Sequence, residues 1–219
     1  MDKKLKLLKE RQEDIFVSLA SLLGAMASPV RIRLIHFLSQ APLTVEVAAG
    51  KVDESIANTS MHLRKMLNEG LVSVETLGQK RAYSLAPEAL DFWEHYQSFA
   101  QKLDPALVLS TSDIYGDLNW THSWSQTKKR AKAGEVQLLD VRPKDEVIEG
   151  DGARFVLHIP QSDLKSNLKR LPKNKPLLVF CRGRLCALSA YSVNYLREMG
   201  FKAYRLDVSG NVVKGVVHG

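Results

Sequence analysis

The apolar positions of this chain follow two different periods, and the change falls near its middle. Over residues 14–26 apolar side chains recur at helical spacing, at Ile15, Leu19, Leu22, Leu23 and Met26. Ser28-Pro29 reads as a helix start, with Ser28 as the cap and Pro29 in the first turn. Ile32, Leu34, Ile35 and Leu38 form the inward stripe of that helix. Thr44 is expected to cap a short helix over 45–49 that Gly50 ends, and Asp53 a longer one over 54–69 that Gly70 stops. Extended patterns at 71–75 and 81–85 predict two short strands joined by Thr76-Leu77-Gly78-Gln79-Lys80. Pro87 opens a last helix that carries Phe92, Trp93, Tyr96 and Phe99.

Residues 104–120 are poorly periodic, and 123–133 reads as a short basic helix. After Gly134 apolar runs at 136–141, 155–159, 177–180 and 203–206 alternate with helical patterns, which predicts a parallel sheet. The chain therefore divides into a mainly-α unit over 1–103, a linker over 104–132 and an α/β unit over 133–219.

Composition narrows the function. The net charge of +7 suits a nucleic-acid partner, yet residues 1–103 carry 13 Lys and Arg against 12 Asp and Glu. The bulk of the basicity lies in the second half, so local arrangement has to carry any argument for DNA binding. No apolar run approaches the roughly 18 residues of a membrane span. The basic N-terminus lacks the apolar core of a signal peptide. Two cysteines make no disulfide framework, and a reduced, cytoplasmic setting is expected.

On helix 54–69, with Leu63 turned inward, Asn58, Met61 and Lys65 point furthest outward. His62 and Arg64 flank them, and Ser60 borders the core. Asn, Ser and Arg can hydrogen-bond base edges, and Lys serves phosphates. The hairpin tip Gln79-Lys80-Arg81 would reach the DNA backbone or minor groove. Three helices, a hairpin with a basic tip and a flanking helix make a winged helix-turn-helix pattern, whose expected partner is double-stranded operator DNA. His36 reads as a partly buried core residue and His95 as an ordinary surface one. Trp93, Tyr96 and Phe99 read as packing residues, against their own domain or a partner subunit. The apolar stripe of residues 5–23 is a candidate dimer surface.

Both cysteines lie in Cys181-Arg182-Gly183-Arg184-Leu185-Cys186, between an apolar strand pattern and a helical one. A glycine loop between strand and helix aims backbone N–H groups at one point. Arg182 and Arg184 add positive potential, so Cys181 should ionise readily and act as a nucleophile. The N–H groups of Arg182, Gly183, Arg184, Leu185, Cys186 and Ala187 form the cradle. Asp140, at the end of its strand, is expected to support the loop or Arg142. Cys186 has two readings: a second thiol that closes a bridge to Cys181, or a small buried residue that begins the helix. Bridging requires the two Cα atoms within about 7 Å.

Two families are resembled. Ala27-Ser28-Pro29-Val30-Arg31-Ile32-Arg33-Leu34-Ile35, Asn58-Thr59-Ser60-Met61-His62-Leu63 and Leu67-Asn68-Glu69-Gly70-Leu71-Val72 are similar to motifs of the ArsR family of winged-helix regulators. That resemblance covers residues 14–100 and implies a homodimer on palindromic operators. Leu43-Thr44-Val45-Glu46-Val47-Ala48 lacks the cysteines of the metal box that many members carry, and no metal or cofactor is expected. Leu139-Asp140-Val141-Arg142-Pro143 with Glu146, then His158-Ile159-Pro160, then Phe180-Cys181-Arg182-Gly183 resemble the rhodanese family over residues 133–210. This implies a persulfide on Cys181, taken from a small donor such as thiosulfate, polysulfide or another persulfide. Gly150-Asp151-Gly152-Ala153-Arg154 and the tail from Asp207 to Val213 depart from that family's pattern. The expectation is a DNA-binding regulator that senses reactive sulfur through Cys181. Two alternatives stand beside it: a sulfurtransferase with an accessory DNA-binding domain, and an oxyanion-binding loop.

Overall fold

The computed structural model describes residues 3–77, 80–104, 106–107, 112–147 and 155–215. It forms two compact units, Met1–Leu90 and Asp91–Gly219.

The first unit contains α1 (Lys3–Met26), α2 (Pro29–Leu38), β1 (Leu43–Thr44), α3 (Val45–Val52), α4 (Ile56–Asn68), β2 (Val72–Leu77) and β3 (Lys80–Leu85). The strands form an antiparallel sheet in the order β1-β3-β2. Leu34, Ile35, Leu38, Ala48, Val52, Leu63 and Met66 are buried between the helices. The inward stripes expected on α2 and α4 are therefore the ones that pack.

Three helix ends differ from expectation. Ser28 is extended but makes no side-chain cap, and Pro29 alone sets the first turn of α2. α3 runs through Gly50 to Val52, and Asp53 closes it in the left-handed region at φ 55°. A short polar Asp tolerates that conformation, which β-branched and bulky residues avoid. Ser55, two residues further on, caps α4: its Oγ accepts from the Asn58 N–H at 3.1 Å. α1 also begins well before the periodic segment that predicted it. Its Leu8, Ile15, Phe16, Val17 and Leu23 are exposed within the chain.

α5 (Pro87–Leu103) starts one residue after β3, and from Asp91 onward it belongs to the second unit. There it is joined by α6 (Ser112–Tyr115), α7 (Trp124–Lys132), β4 (Gln137–Asp140), β5 (Val156–His158), β6 (Leu177–Cys181), α8 (Ala187–Glu198), β7 (Ala203–Ser209) and α9 (Gly210–Lys214). The four strands are parallel, in the order β5-β4-β6-β7. Between β5 and β6 the expected helix is reduced to 3-10 turns at Gln161–Asp163 and Lys165–Arg170. Pro160, Pro172 and Pro176 confine any helix there to a short span.

Alternation along β6 sorts its side chains. Leu177, Val179 and Cys181 face one core with Ala190, Val193 and Leu196 of α8. Leu178 and Phe180 face the other, with Leu138, Ala131 and Val213. Cys181 thus sits on the α8 side of the sheet because of its parity in the strand. The register of β6 against β7 shifts between Val179, opposite Arg205, and Cys181, opposite Ser209. This bulge brings Asp207, Val208 and Ser209 to the end of the strand where the cysteine loop begins.

Candidate functional site

β6 delivers Cys181 to its C-terminal end, and the chain turns at once into α8. Gly183 makes the turn at φ 105°, a conformation that favours glycine. The Cys186 N–H donates to the Gly183 carbonyl at 3.2 Å, which tightens the loop. Cys181 and Cys186 are paired as a disulfide with their Cα atoms 6.4 Å apart, inside the reach required for bridging. Both are buried, at 1% and 2% exposure, while Leu185 stands out at the tip. The Oγ of Ser189, in the first turn of α8, lies 3.3 Å from the Cys181 sulfur.

The arginines of the loop have fixed partners. Arg182 donates through Nε and a terminal nitrogen to both oxygens of Glu146, at 2.6 and 2.7 Å. Glu146 is 1% exposed, so this is a buried, bidentate ion pair. Arg182 also points a nitrogen at the Cys186 sulfur, 3.8 Å away. Arg184 donates to Gln101 Oε1 at 2.6 Å, and its Nε is 3.9 Å from Asp207. The Arg184 carbonyl accepts from Arg205 at 2.6 Å. Burial pulls the guanidinium of Arg205 below its ordinary value, and the charge of Asp207 opposes that shift. Of the two roles expected for Asp140, the structure supplies contact with Arg142. The guanidinium spans both carboxylate oxygens, with a shortest contact of 2.6 Å, and both side chains are buried. His158 contacts the Arg142 carbonyl at 2.9 Å.

α5 reaches the same site. Ser209, which pairs with Cys181 and forms a bridge with Arg182, donates its hydroxyl to Glu94 at 2.7 Å. Burial raises the carboxyl of Glu94, against the hydrogen bonds of Ser209 and Asn211 and the charges of Arg184 and His95. Glu94 and Gln101 are seven residues apart, which places them two turns along one helix face. Sequence reasoning missed Glu94, Gln101, Ser189, Arg205 and Ser209. The available signal was the recurrence of Glu94, Gln97 and Gln101 at helical spacing within an aromatic-rich helix.

In the first unit, α4 exposes Met61, Arg64 and Lys65, with Met61 at 58%. Ser60 is half-buried. Asn58 Nδ2 donates to Glu54 at 2.7 Å, so its amide is held within the domain. His62 Nδ1 lies 3.2 Å from Arg31 Nη1. Burial, then the Arg31 charge, lowers the pKa of His62 and favours the neutral ring. The other terminal nitrogen of Arg31 donates to the Gly24 carbonyl of α1 at 2.9 Å. Arg31 therefore ties the end of α1 to the outward face of α4. Lys80 and Arg81 are exposed at the start of β3; Gln79 lies outside the described residues, as do Gly150 to Arg154. His95 is exposed and hydrogen-bonded to Asp91; Trp93 is buried, while Tyr96 and Phe99 stay exposed. No single helix among the described residues is long and apolar enough to cross a membrane.

Known proteins match both units. Residues 26–75 match the helix-turn-helix domain family, and residues 123–211 the rhodanese-like domain. The HTH-type transcriptional regulator Rv0324 of Mycobacterium tuberculosis is 26% identical over 201 residues, 90% of this chain and 88% of that protein. Nodulation protein NolR of Rhizobium meliloti is 33% identical over 108 residues, 49% of this chain and 76% of that protein. Among solved structures, NolR from Sinorhizobium fredii is 28% identical, covering 48% of this chain and 92% of that one, with a TM-score of 0.35. The homodimeric winged helix-turn-helix domain of a possible ArsR-family regulator from Mycobacterium bovis is 21% identical. It covers 43% of this chain and 90% of that one, with a TM-score of 0.41. The chain belongs to the ArsR family of winged-helix transcriptional regulators, and its C-terminal half is a rhodanese-like domain.

Proposed function

We propose that this DNA-binding regulator senses reactive sulfur through Cys181, with Cys186 as the residue that locks the response. The observation that carries the reading is the pair itself: two cysteines with Cα atoms 6.4 Å apart, buried at the junction of β6 and α8. The Cys181 thiolate attacks the terminal sulfur of a polysulfide. The donor's S–S bond breaks, the persulfide forms on Cys181, and a polysulfide anion one sulfur shorter leaves. The Cys186 thiolate then attacks the inner sulfur of that persulfide and expels hydrosulfide, which leaves the Cys181–Cys186 disulfide. The donor is the oxidant, and the two thiols are oxidised. The bridged loop is the end state of this sequence.

A sulfurtransferase that turns over passes its persulfide sulfur to an outside acceptor. A second cysteine within bridging distance of Cys181 intercepts that persulfide, which favours sensing over turnover. α5 supplies the route to DNA. It holds the loop through Arg184–Gln101 and the adjacent strand end through Ser209–Glu94, and it begins where the wing strand β3 ends. Operator contacts come from Ser60, Met61, His62, Arg64 and Lys65 on α4, with Asn58 engaging once DNA displaces its Glu54 partner, and from Lys80 and Arg81 at the start of β3. A homodimer built on the exposed apolar face of α1 presents two such surfaces to a palindrome.

The test is operator affinity with and without polysulfide, in the native chain and in Cys181→Ser, together with intact mass. Sensing predicts a polysulfide-dependent change in affinity that Cys181→Ser lacks. It also predicts loss of two hydrogens in the native chain, or gain of one sulfur in Cys186→Ser. Equal affinities in every arm would end the reading.

A further inference from the structure

In the first unit a single arginine joins three helices and faces the recognition helix. Arg31, in the first turn of α2, is 8% exposed. Its Nη2 donates to the Gly24 carbonyl at the end of α1 at 2.9 Å and reaches the Ala27 carbonyl at 3.4 Å. Its Nη1 lies 3.2 Å from Nδ1 of His62, in the middle of α4. Ser21 Oγ also donates to Glu69 Oε1 at 2.9 Å, so α1 holds the α4 end at a second point. The guanidinium is therefore located from behind, and the backbone at the end of α1 sets how it meets His62.

A guanidinium carries donors and no acceptor. The His62 nitrogen that faces it has to accept through its lone pair, so Nδ1 carries no proton. The single proton of the neutral ring then sits on Nε2. Burial, followed by the Arg31 charge, lowers the pKa of His62; Lys65 adds to this and Glu54 opposes it. Nε2 is not buried and makes no hydrogen bond among the described residues. Beside exposed Met61 and Lys65, α4 thus presents one N–H donor of fixed identity.

A lone donor discriminates among base edges. In the major groove guanine offers two neighbouring acceptors, N7 and O6. Adenine sets one acceptor beside an amino donor, and cytosine offers only its amino donor. A histidine contact to phosphate is strongest for the imidazolium, and that form needs a proton on the nitrogen that Arg31 occupies. We propose, on the reading above that α4 enters the major groove, that Arg31 fixes His62 as an Nε2–H donor and that this donor selects guanine at one position of each operator half-site. His62 makes the contact, and Arg31 is its positioning residue.

The experiment uses the full chain, with and without reductant. Long-range 15N–1H spectra of the free protein show which ring nitrogen of His62 is protonated, and His62→Gln identifies its signals among the six histidines. Base preference is read by selection from a randomised duplex library. The expected results are the Nε2–H tautomer and a native motif that favours guanine over cytosine roughly tenfold at one position per half-site. His62→Gln should move that position to adenine, whose N6 and N7 a glutamine amide matches. Arg31→Met, which keeps an apolar stem without donors, should give mixed tautomers and relax that position alone. An Nδ1–H or doubly protonated ring at neutral pH overturns the proposal, as does a motif unchanged in His62→Gln. His62 is only half-buried, so misfolding of Arg31→Met cannot shield it. Failure of the major-groove reading looks different: the native chain then enriches no motif although the tautomer is as expected, and the guanine assignment falls with it.

Discussion

Reduction of the Cys181–Cys186 bridge should destabilise the second unit by an amount that the loop length sets. The sequence separation is 5, so the bridge closes a loop of six residues. Chain entropy for such a loop amounts to roughly 7 cal/mol/K, or about 2 kcal/mol at 25 °C. For a unit the size of Asp91–Gly219, that loss corresponds to a fall in Tm of about 6–10 °C. Scanning calorimetry of the full chain, oxidised and then reduced, reads the shift on the transition of this unit. The Cys186→Ser variant places a hydroxyl in a buried position, which lowers stability under both conditions and cancels in the comparison. Its Tm should therefore not respond to reductant. An equal reductant shift in Cys186→Ser, or none in the oxidised native chain, would refute the bridge as a stabilising link.

Further outcomes follow from the surrounding side chains. Gly210→Ala would put a Cβ 2.5 Å from both terminal nitrogens of Arg142, which Asp140 holds in place. Urea unfolding should show a loss of about 2–4 kcal/mol, since overpacking and disruption of a buried ion pair combine. Glu94 is an acid whose folded pKa lies above its unfolded value near 4.5. Its protonated form is favoured in the fold, so stability is greater below that value and falls as pH rises through the raised pKa. Glu94→Gln should flatten this dependence and raise Tm at neutral pH. Gln101→Ala removes the 2.6 Å contact to Arg184 without touching either sulfur. Intact mass should show normal oxidation by polysulfide, while the operator-affinity response shrinks severalfold.

The parallel sheet was legible because β4 and β6 are short, nearly continuous apolar runs, the pattern of strands covered on both faces. The recognition helix was legible from Leu63, Met66 and their spacing. Helix boundaries were less so. Asp53 and Ser55 are both good caps, and the choice between them depends on which residue takes the left-handed backbone. The loop was found from its two cysteines, but the environment of its arginines was not. Glu146 precedes Arg182 by 36 residues, and Gln101 precedes Arg184 by 83. Such pairings arise from tertiary packing and leave no local period. For the same reason, Arg182 reads in sequence as free positive potential and in the fold as half of a buried pair. The bulge in β7 that presents Ser209 to Cys181 also has no composition signal.

α5 is gripped at two places on one face, Glu94 and Gln101, about 10 Å apart at the rise of a helix. A rod fixed at one place can pivot, whereas a rod fixed at two transmits both tilt and roll. Release of the Gln101 grip alone would leave Ser209–Glu94 as a fulcrum. Loss of both would leave the helix held by its buried side chains, Trp93 and Gln97, alone. The two contacts hold different elements, Arg184 of the loop and Ser209 at the end of β7, so under the proposed sensing mechanism loosening one and loosening both would give different outputs.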